Sequence, residues 1–306
     1  MLYNFGSINI DHIYRVPHLV RPGETLASSS YRQVLGGKGA NQSLAIARAG
    51  GNVCHWGRLG NIDHWVLETL SAAGVDTSNV ELIDDPSGHA LIQVDDRGEN
   101  AIILFPGANH GFEVSRIDAL IAQANPGDWL LLQNECNGLS HIMTLARERG
   151  MAIAFNPAPM TADVLELPLE ACQLLFVNRG EATALLELDE KTDQHALLDA
   201  LGHRLPKVEI VLTLGNEGVC YQHDRERLCL PAHQVEAVDT TAAGDTFIGY
   251  FMAARQHGHD VEYCLRLASA ASALCVQRAG AAPSIPVDSD VEATTRHWPK
   301  LKLTSY

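Results

Sequence analysis

The chain has 306 residues, 46% hydrophobic and 19% charged, with a formal net charge of −15, an ordinary composition for a soluble globular protein. That length accommodates one large α/β unit or two ordinary ones, with ample buried core. The negative balance argues against a nucleic-acid surface, which needs clustered Lys and Arg, but leaves phosphate substrates open because backbone amides can bind them.

In chain order, an apolar run at residues 2–8 reads as a first buried strand. Residues 22–34 (PGETLASSSYRQV) look like strands or a hairpin without a helix between them. A helical pattern follows at 39–49, a strand at 53–56 and a helix at 65–73. Residues 88–105 hold two alternating apolar runs around Asp96-Arg97-Gly98, a turn between two strands. Strands at 129–133, 152–155, 174–177 and 209–214 then alternate with helices at 141–149, 179–186 and 193–201. From Thr246 the pattern is mostly helical, through 247–256 and 260–277. Such alternation predicts a mostly parallel sheet covered by helices on both faces. With no repeat or linker, we expect one domain over 1–306. The helix-free segments, at about 12–35 and 85–106, form a small sheet that closes over substrate as a lid, or else two surface hairpins without a special role.

The seven cysteines (54, 136, 172, 220, 229, 264 and 275) are scattered and include no Cys-x-x-Cys pair, which predicts free thiols in a reducing cytosol rather than disulfides or a zinc site. Residues 1–10 carry no basic stretch, and no apolar run approaches the roughly 20 residues that span a bilayer. The expectation is a cytoplasmic protein without membrane or nucleic-acid partners. Fourteen histidines are present, but the adjacent pair His257 and His259 lies in a polar connection and reads as surface.

The strongest chemical pattern is Val238-Asp239-Thr240-Thr241-Ala242-Ala243-Gly244-Asp245-Thr246. Small residues at 242–244 let backbone amides face a ligand, and the helical pattern that follows makes this a helix N-terminus with positive dipole outward. Such a turn can cradle the charge on a transferring phosphoryl group. Asp245, in the first turn, can take a proton from an attacking hydroxyl; alternatively it only caps the helix. Likewise Asn178-x-x-Glu181 is either functional or a capping box.

The 238–246 segment resembles the C-terminal motif of the ribokinase-like, phosphofructokinase-B family of carbohydrate kinases, matching at Asp239, Thr240, Ala243, Gly244 and Asp245. The family's N-terminal motif is matched by Gly36-Gly37-Lys38-Gly39-Ala40-Asn41, about two hundred residues earlier. Further matches are Gly6–Asp11, Pro22-Gly23-Glu24, Asn156–Pro159, Asn178–Glu181, Thr213-Leu214-Gly215 and Arg278–Ala281, so the resemblance spans the chain. It implies a three-layer α/β/α fold with a small β-sheet lid, and an ATP-dependent sugar kinase. Carried over residue by residue, Asp245 is the catalytic base and Ala242, Ala243 and Gly244 form the anion hole. Asn178, Thr213, Gly215, Gly218 and Gly244 meet the nucleotide. Asn178 and Glu181 hold magnesium, through water, as suits an ion that keeps its hydration. Asp239, Thr241, Arg278, Gly280 and Ser284, with Cys275 beside them, resemble a potassium site.

Asn9, Asp11, Gly37, Lys38, Asn41 and Glu135, with Asp245, resemble the family's ribose-binding set, which implies D-ribose phosphorylated at its terminal hydroxyl. A ketohexose, 2-deoxyribose or nucleoside is the alternative acceptor. The resemblance further implies a homodimer through the lid. The chain departs from the family pattern at residues 60–65, which are shortened, and at Asn134, Cys136, His89 and Cys275. Two readings of other classes are a non-catalytic sugar or nucleotide sensor on the same fold, and an oxidoreductase. The intact Asp245 turn opposes the first, and the lack of a Gly-x-Gly-x-x-Gly fingerprint opposes the second.

Overall fold

In the computed structural model, which describes all 306 residues, the expected first strand ends early, at Phe5 and not at residue 8. β1 covers Leu2–Phe5, and three residues later the chain enters β2 (Asn9–Arg15), so Asn9 and Asp11 lie on a strand of their own. Residues 22–29 form no strand; β3 (Ser30–Gly36) begins after them and pairs antiparallel with the whole of β2. Then come α1 (Lys38–Arg48), β4 (Val53–Trp56), β5 (Arg58–Gly60), α2 (Trp65–Ala72) and β6 (Glu81–Ile83). β7 (Gly88–Val94) and β8 (Asn100–Phe105) make the expected hairpin, whose turn is tied by Asp95 Oδ1 accepting from the Arg97 and Glu99 amides at 2.8 and 3.0 Å. After α3 (Val114–Ile121) follow β9 (Trp129–Gln133), α4 (Leu139–Arg149), β10 (Ala152–Asn156), β11 (Leu174–Asn178), α5 (Arg179–Leu186) and α6 (Gln194–Arg204). The chain closes with β12 (Glu209–Thr213), β13 (Val219–His223), β14 (Glu226–Leu230), α7 (Ala243–Gln256), α8 (Val261–Cys275), α9 (Asp288–Thr295) and the short β15 (Thr304–Ser305).

Nine strands form the main sheet in the order β15-β14-β13-β12-β11-β10-β9-β1-β4, parallel from β12 to β4 and antiparallel beyond β12. Apolar residues run almost unbroken along the parallel strands because both faces are covered. On β11, Leu174 and Phe176 enter one core with α1, α7 and α8, while Leu175 and Val177 enter the other with α3 to α6. These three layers are the expected α/β/α architecture. A separate four-stranded sheet, β3-β2-β7-β8, stands off the main one. No helix is long and apolar enough to cross a membrane.

One expectation fails here. Cys220 on β13 and Cys229 on β14 are opposite each other in an antiparallel register and form a disulfide, Cα–Cα 4.2 Å. Pairing depends on cross-strand register, and this hairpin was absent from the sequence reading. The other five cysteines are free and buried.

Candidate active site

The site begins where α1 meets the loop after β1. Gly37, at φ +88, caps α1, and a Cβ there would lie 2.9 Å from the Asn9 amide nitrogen, so this turn requires glycine on both counts. At Gly39 a Cβ would meet the Ser7 nitrogen at 2.4 Å, which is how closely α1 packs on residues 6–8. The Lys38 amide donates to Glu135 Oε2 at 2.9 Å, and the Ser7 hydroxyl donates to the same oxygen. Glu135 follows β9 at its carboxyl end. Asn9 is held by buried Asn109, which donates from Nδ2 to Asn9 Oδ1 at 2.7 Å and accepts from the Ile8 amide at 2.9 Å. Gly36 makes room for Asp11, since a Cβ would fall 2.3 Å from Asp11 Oδ2.

The second half is the N-terminus of α7. Ala242 caps it in the left-handed region at φ 62, an uncommon conformation for a residue with a side chain. The Thr246 amide donates back to the Ala242 carbonyl at 2.8 Å, while those of Ala242, Gly244 and Asp245 find no acceptor within the protein. A Cβ on Gly244 would project into open space. Free amides at a helix start are an anion-binding arrangement. Asp245 itself is 8% exposed; Oδ2 accepts from Asn41 Nδ2 at 3.1 Å and Oδ1 from Gln42 Nε2 at 2.9 Å.

Both halves open into one cleft of about 480 Å³. It brings together Asn9, Asp11, Gly37, Lys38, Asn41 and Glu135 on one side with Thr241, Ala242, Gly244 and Asp245 on the other, and reaches Asn178, Glu181 and Thr213. Ala90, Ile92, Ile102 and Leu104 of the small sheet form an apolar wall that the sequence reading did not single out. The alternation of apolar residues in β7 was visible, but which face looked inward depended on the pairing of β7 with β2.

Not every expected residue lines the cleft. Gly215 and Gly218 bound the turn between β12 and β13, outside its walls. A Cβ on Gly218 would clash with the Leu230 carbonyl at 2.1 Å, so packing of the β13–β14 hairpin already accounts for that glycine. Asp239, Ala243, Cys275, Arg278, Gly280 and Ser284 also lie behind the lining.

Electrostatics concentrate around the acidic cluster. Burial, then the neighbouring Glu135 charge, push the Asp11 carboxyl up to about 7. Glu135 is raised mainly by burial, against the pull of Lys38 and the Ser7 hydroxyl. Burial lowers the Lys38 ammonium, but Asp245, Glu135 and Glu181 outweigh it, so Lys38 is raised and stays charged.

Asn178 and Glu181 form a full capping box at α5. Asn178 Oδ1 accepts from the Glu181 amide at 2.8 Å, and the two Glu181 oxygens accept from the Asn178 amide and Nδ2, each at 2.9 Å. The structural alternative is therefore realised. With both carboxylate oxygens so engaged, the pair suits a hydrated cation better than direct coordination. Asp239 Oδ1 accepts from the Thr241 amide at 2.9 Å and hydroxyl at 2.6 Å, and Oδ2 from the Gly280 amide at 2.9 Å. These bonds tie the α7 approach to residues 278–284. Cys275 Sγ lies 3.1 Å from Ser284 Oγ and 3.7 Å from the Thr241 carbonyl. A thiol is a poor ligand for a hard cation, so the carbonyls and the Ser284 hydroxyl are the groups that fit potassium. The Arg278 side chain is turned away, paired with Asp290 at 2.8 Å.

Comparison with known proteins agrees with this geometry. Residues 1–288 match the model for the pfkB family of carbohydrate kinases. A ribokinase from Haemophilus influenzae is 33% identical over 298 residues, 95% of this chain and 97% of that one. The structure of a ribokinase from Cryptococcus neoformans in complex with ADP superposes with TM-score 0.84 at 34% identity, covering 96% of this chain and 99% of that one. Ribokinase from Arabidopsis thaliana, complexed with ribose and ATP, gives TM-score 0.85 at 28% identity, covering 95% and 97%. The chain belongs to the pfkB family of carbohydrate kinases.

Proposed function

We propose that this chain transfers the γ-phosphate of ATP to the terminal hydroxyl of D-ribose, with Asp245 as the base. The observation that supports it most is the position of the buried Asp245 carboxylate beside unpaired α7 amides, in the cleft that also holds Asn9, Asp11, Lys38, Asn41 and Glu135. Asp245 takes the proton as the hydroxyl attacks. The amides of Ala242, Gly244 and Asp245, with Ala243 behind them, stabilise the charge spread over the equatorial phosphoryl oxygens. Lys38, held charged by its acidic neighbours, adds to that stabilisation. Thr213 and Asn178 face the nucleotide. Glu181 and Asn178 would hold magnesium through water, which would supply positive charge to the phosphate oxygens, and the Thr241, Arg278 and Gly280 carbonyls with the Ser284 hydroxyl would hold potassium beside the α7 turn.

Asn9, whose Oδ1 is taken by Asn109, offers its Nδ2 as a donor and Asp11 an acceptor to vicinal ring hydroxyls, and Glu135 an acceptor on another side. The small sheet is the lid, its Ala90, Ile92, Ile102 and Leu104 excluding water. On its other face the edge strand β8 exposes Ile103 and Phe105, at 66 and 47%, a patch suited to a second copy of the chain. Use of ATP supports a cytoplasmic setting.

The test is ADP release over D-ribose, 2-deoxyribose, fructose and a nucleoside. Ribose should have the highest kcat/KM. The 2-deoxy sugar leaves an Asp11 oxygen unpaired, at a cost of roughly 1–3 kcal/mol, and should be at least about tenfold poorer. Preference for any other acceptor would overturn the substrate.

A further inference from the structure

Behind Asp245, five uncharged polar side chains run as one hydrogen-bonded row into the core. Gln42, Gln133, Asn4, Ser43 and His55 are each no more than 1% exposed. Gln42 Nε2, which donates to Asp245 Oδ1 at 2.9 Å, also lies 3.4 Å from Asn156 Oδ1. Gln133 Nε2 donates to Gln42 Oε1 at 2.7 Å and to Asn4 Oδ1 at 2.9 Å. Asn4 Nδ2 donates to Ser43 Oγ at 2.7 Å and to the Gly39 carbonyl at 2.8 Å. Ser43 Oγ is 2.8 Å from His55 Nδ1, and His55 Nε2 is 3.1 Å from the Gly6 carbonyl.

Burying so many polar groups is costly compared with an apolar filling of the same volume, so the row calls for an explanation other than stability. Its direction is forced. A backbone carbonyl only accepts, so Gly39 requires the Nδ2 of Asn4. Asn4 Oδ1 then faces Gln133 and requires Nε2 there. The same nitrogen meets Gln42 Oε1, which leaves Gln42 Nε2 for Asp245. The far end gives the same answer. The Gly6 carbonyl requires a proton on His55 Nε2, and burial keeps this imidazole neutral by lowering its pKa to about 4. Nδ1 therefore accepts from the Ser43 hydroxyl, whose oxygen accepts from Asn4. Two backbone anchors thus select the Gln42 amide orientation that points a donor at the carboxylate; the reverse would set two oxygens against each other.

We propose that Gln42 is a positioning residue of the reaction, its amide aimed by the buried row so as to hold the Asp245 carboxylate in one orientation. This rests on the reading of Asp245 as the base. A neutral donor fixes the carboxylate without pairing its charge, and acts beside the charged groups that face Asp245, namely Lys38, Glu135 and Glu181, with the Cys275 thiol near it. Asn41, which bonds the other oxygen, lines the cleft; Gln42 does not, so its effect falls on the base rather than on substrate contacts.

The test is single-turnover phosphoryl transfer for the intact protein, Gln42→Leu, Gln133→Leu and Asp245→Asn, with ATP and sugar affinities measured alongside. In Gln42→Leu the rate should fall about tenfold or more, with both affinities within about twofold. Gln133→Leu frees the Gln42 amide to turn over and should lower the rate the same way by less. A purely structural role would lower Tm and leave the rate of the folded protein unchanged, or weaken both affinities together with the rate, and either result overturns the proposal. If Asp245→Asn keeps its turnover, the base assignment itself fails; if Asp245→Asn is inactive while both Leu variants match the intact rate, only the Gln42 proposal fails. Should the Leu variants not fold, nitrogen-15 NMR carries the test. The Gln42 side-chain amide should shift between the intact protein and Asp245→Asn, and an unchanged resonance overturns the proposal.

Discussion

Asp11→Asn separates what the acidic cluster does for sugar binding from what it does to the fold. In the folded protein the Asp11 carboxyl titrates near 7 instead of 3.8, raised first by burial and then by Glu135. The folded state therefore prefers the protonated form, whereas the unfolded chain ionises near 3.8. No penalty exists below that value. It grows as pH rises and is complete above about 7, the opposite of a salt-bridged carboxylate. A rise of about 3 units at 1.36 kcal/mol each sets a ceiling of about 4 kcal/mol, and water reaching Asp11 from the cleft reduces it. Asp11→Asn keeps the size and removes the charge. In the absence of sugar, thermal unfolding at pH 8 should show the variant several degrees more stable, with the difference vanishing towards pH 4. Ribose affinity should fall at both pH values, the trade of stability against function expected at a binding site. Equal Tm for the two proteins at pH 8, or the same difference at pH 4, would refute the reasoning.

Other outcomes follow from particular contacts. Gly39→Ala would drive a Cβ into the Ser7 nitrogen at 2.4 Å and the Gly6 carbonyl carbon at 2.5 Å, both backbone, and should cost roughly 1–3 kcal/mol by chemical denaturation; an unchanged midpoint would mean α1 is not held as described. If a cation orders the turn from Asp239 to Asp245, rates in potassium should exceed those in sodium and in a bulky organic cation at matched ionic strength. Equal rates in all three would remove that site.

Much of the central layer was legible because a doubly covered parallel sheet writes itself as short apolar runs between helical patterns: β4 and β9 begin and end where those runs do. The small sheet was legible only in part. The apolar run at 2–8 overshot β1, and β2 (Asn9–Arg15) was not among the expected strands, since its place is set by pairing with β3 and β7. The β13–β14 hairpin went unseen, although Val219–His223 and Glu226–Leu230 flank Asp224 at φ 51, a turn position tolerant of Asp. The Cys220–Cys229 pairing went with it. Within the site, residues in the glycine-rich turns could be found because small residues at fixed spacing have few other uses. Asn4, Gln133 and His55 could not, since a polar residue inside an apolar strand gives no sign of its partner from another element. Gln42 directly follows the Gly36–Asn41 motif, but its contact with Asp245, 203 residues away, exists only in the fold.

The central claim is that Asp245 takes the proton from the attacking hydroxyl. Asp245→Asn keeps the shape and can still receive hydrogen bonds on its remaining oxygen, but it cannot act as a base. Measured by steady-state ADP release with ribose, its kcat should fall by about 10² to 10⁴, while ATP affinity by calorimetry stays within about twofold. Near-normal turnover by Asp245→Asn would contradict the account.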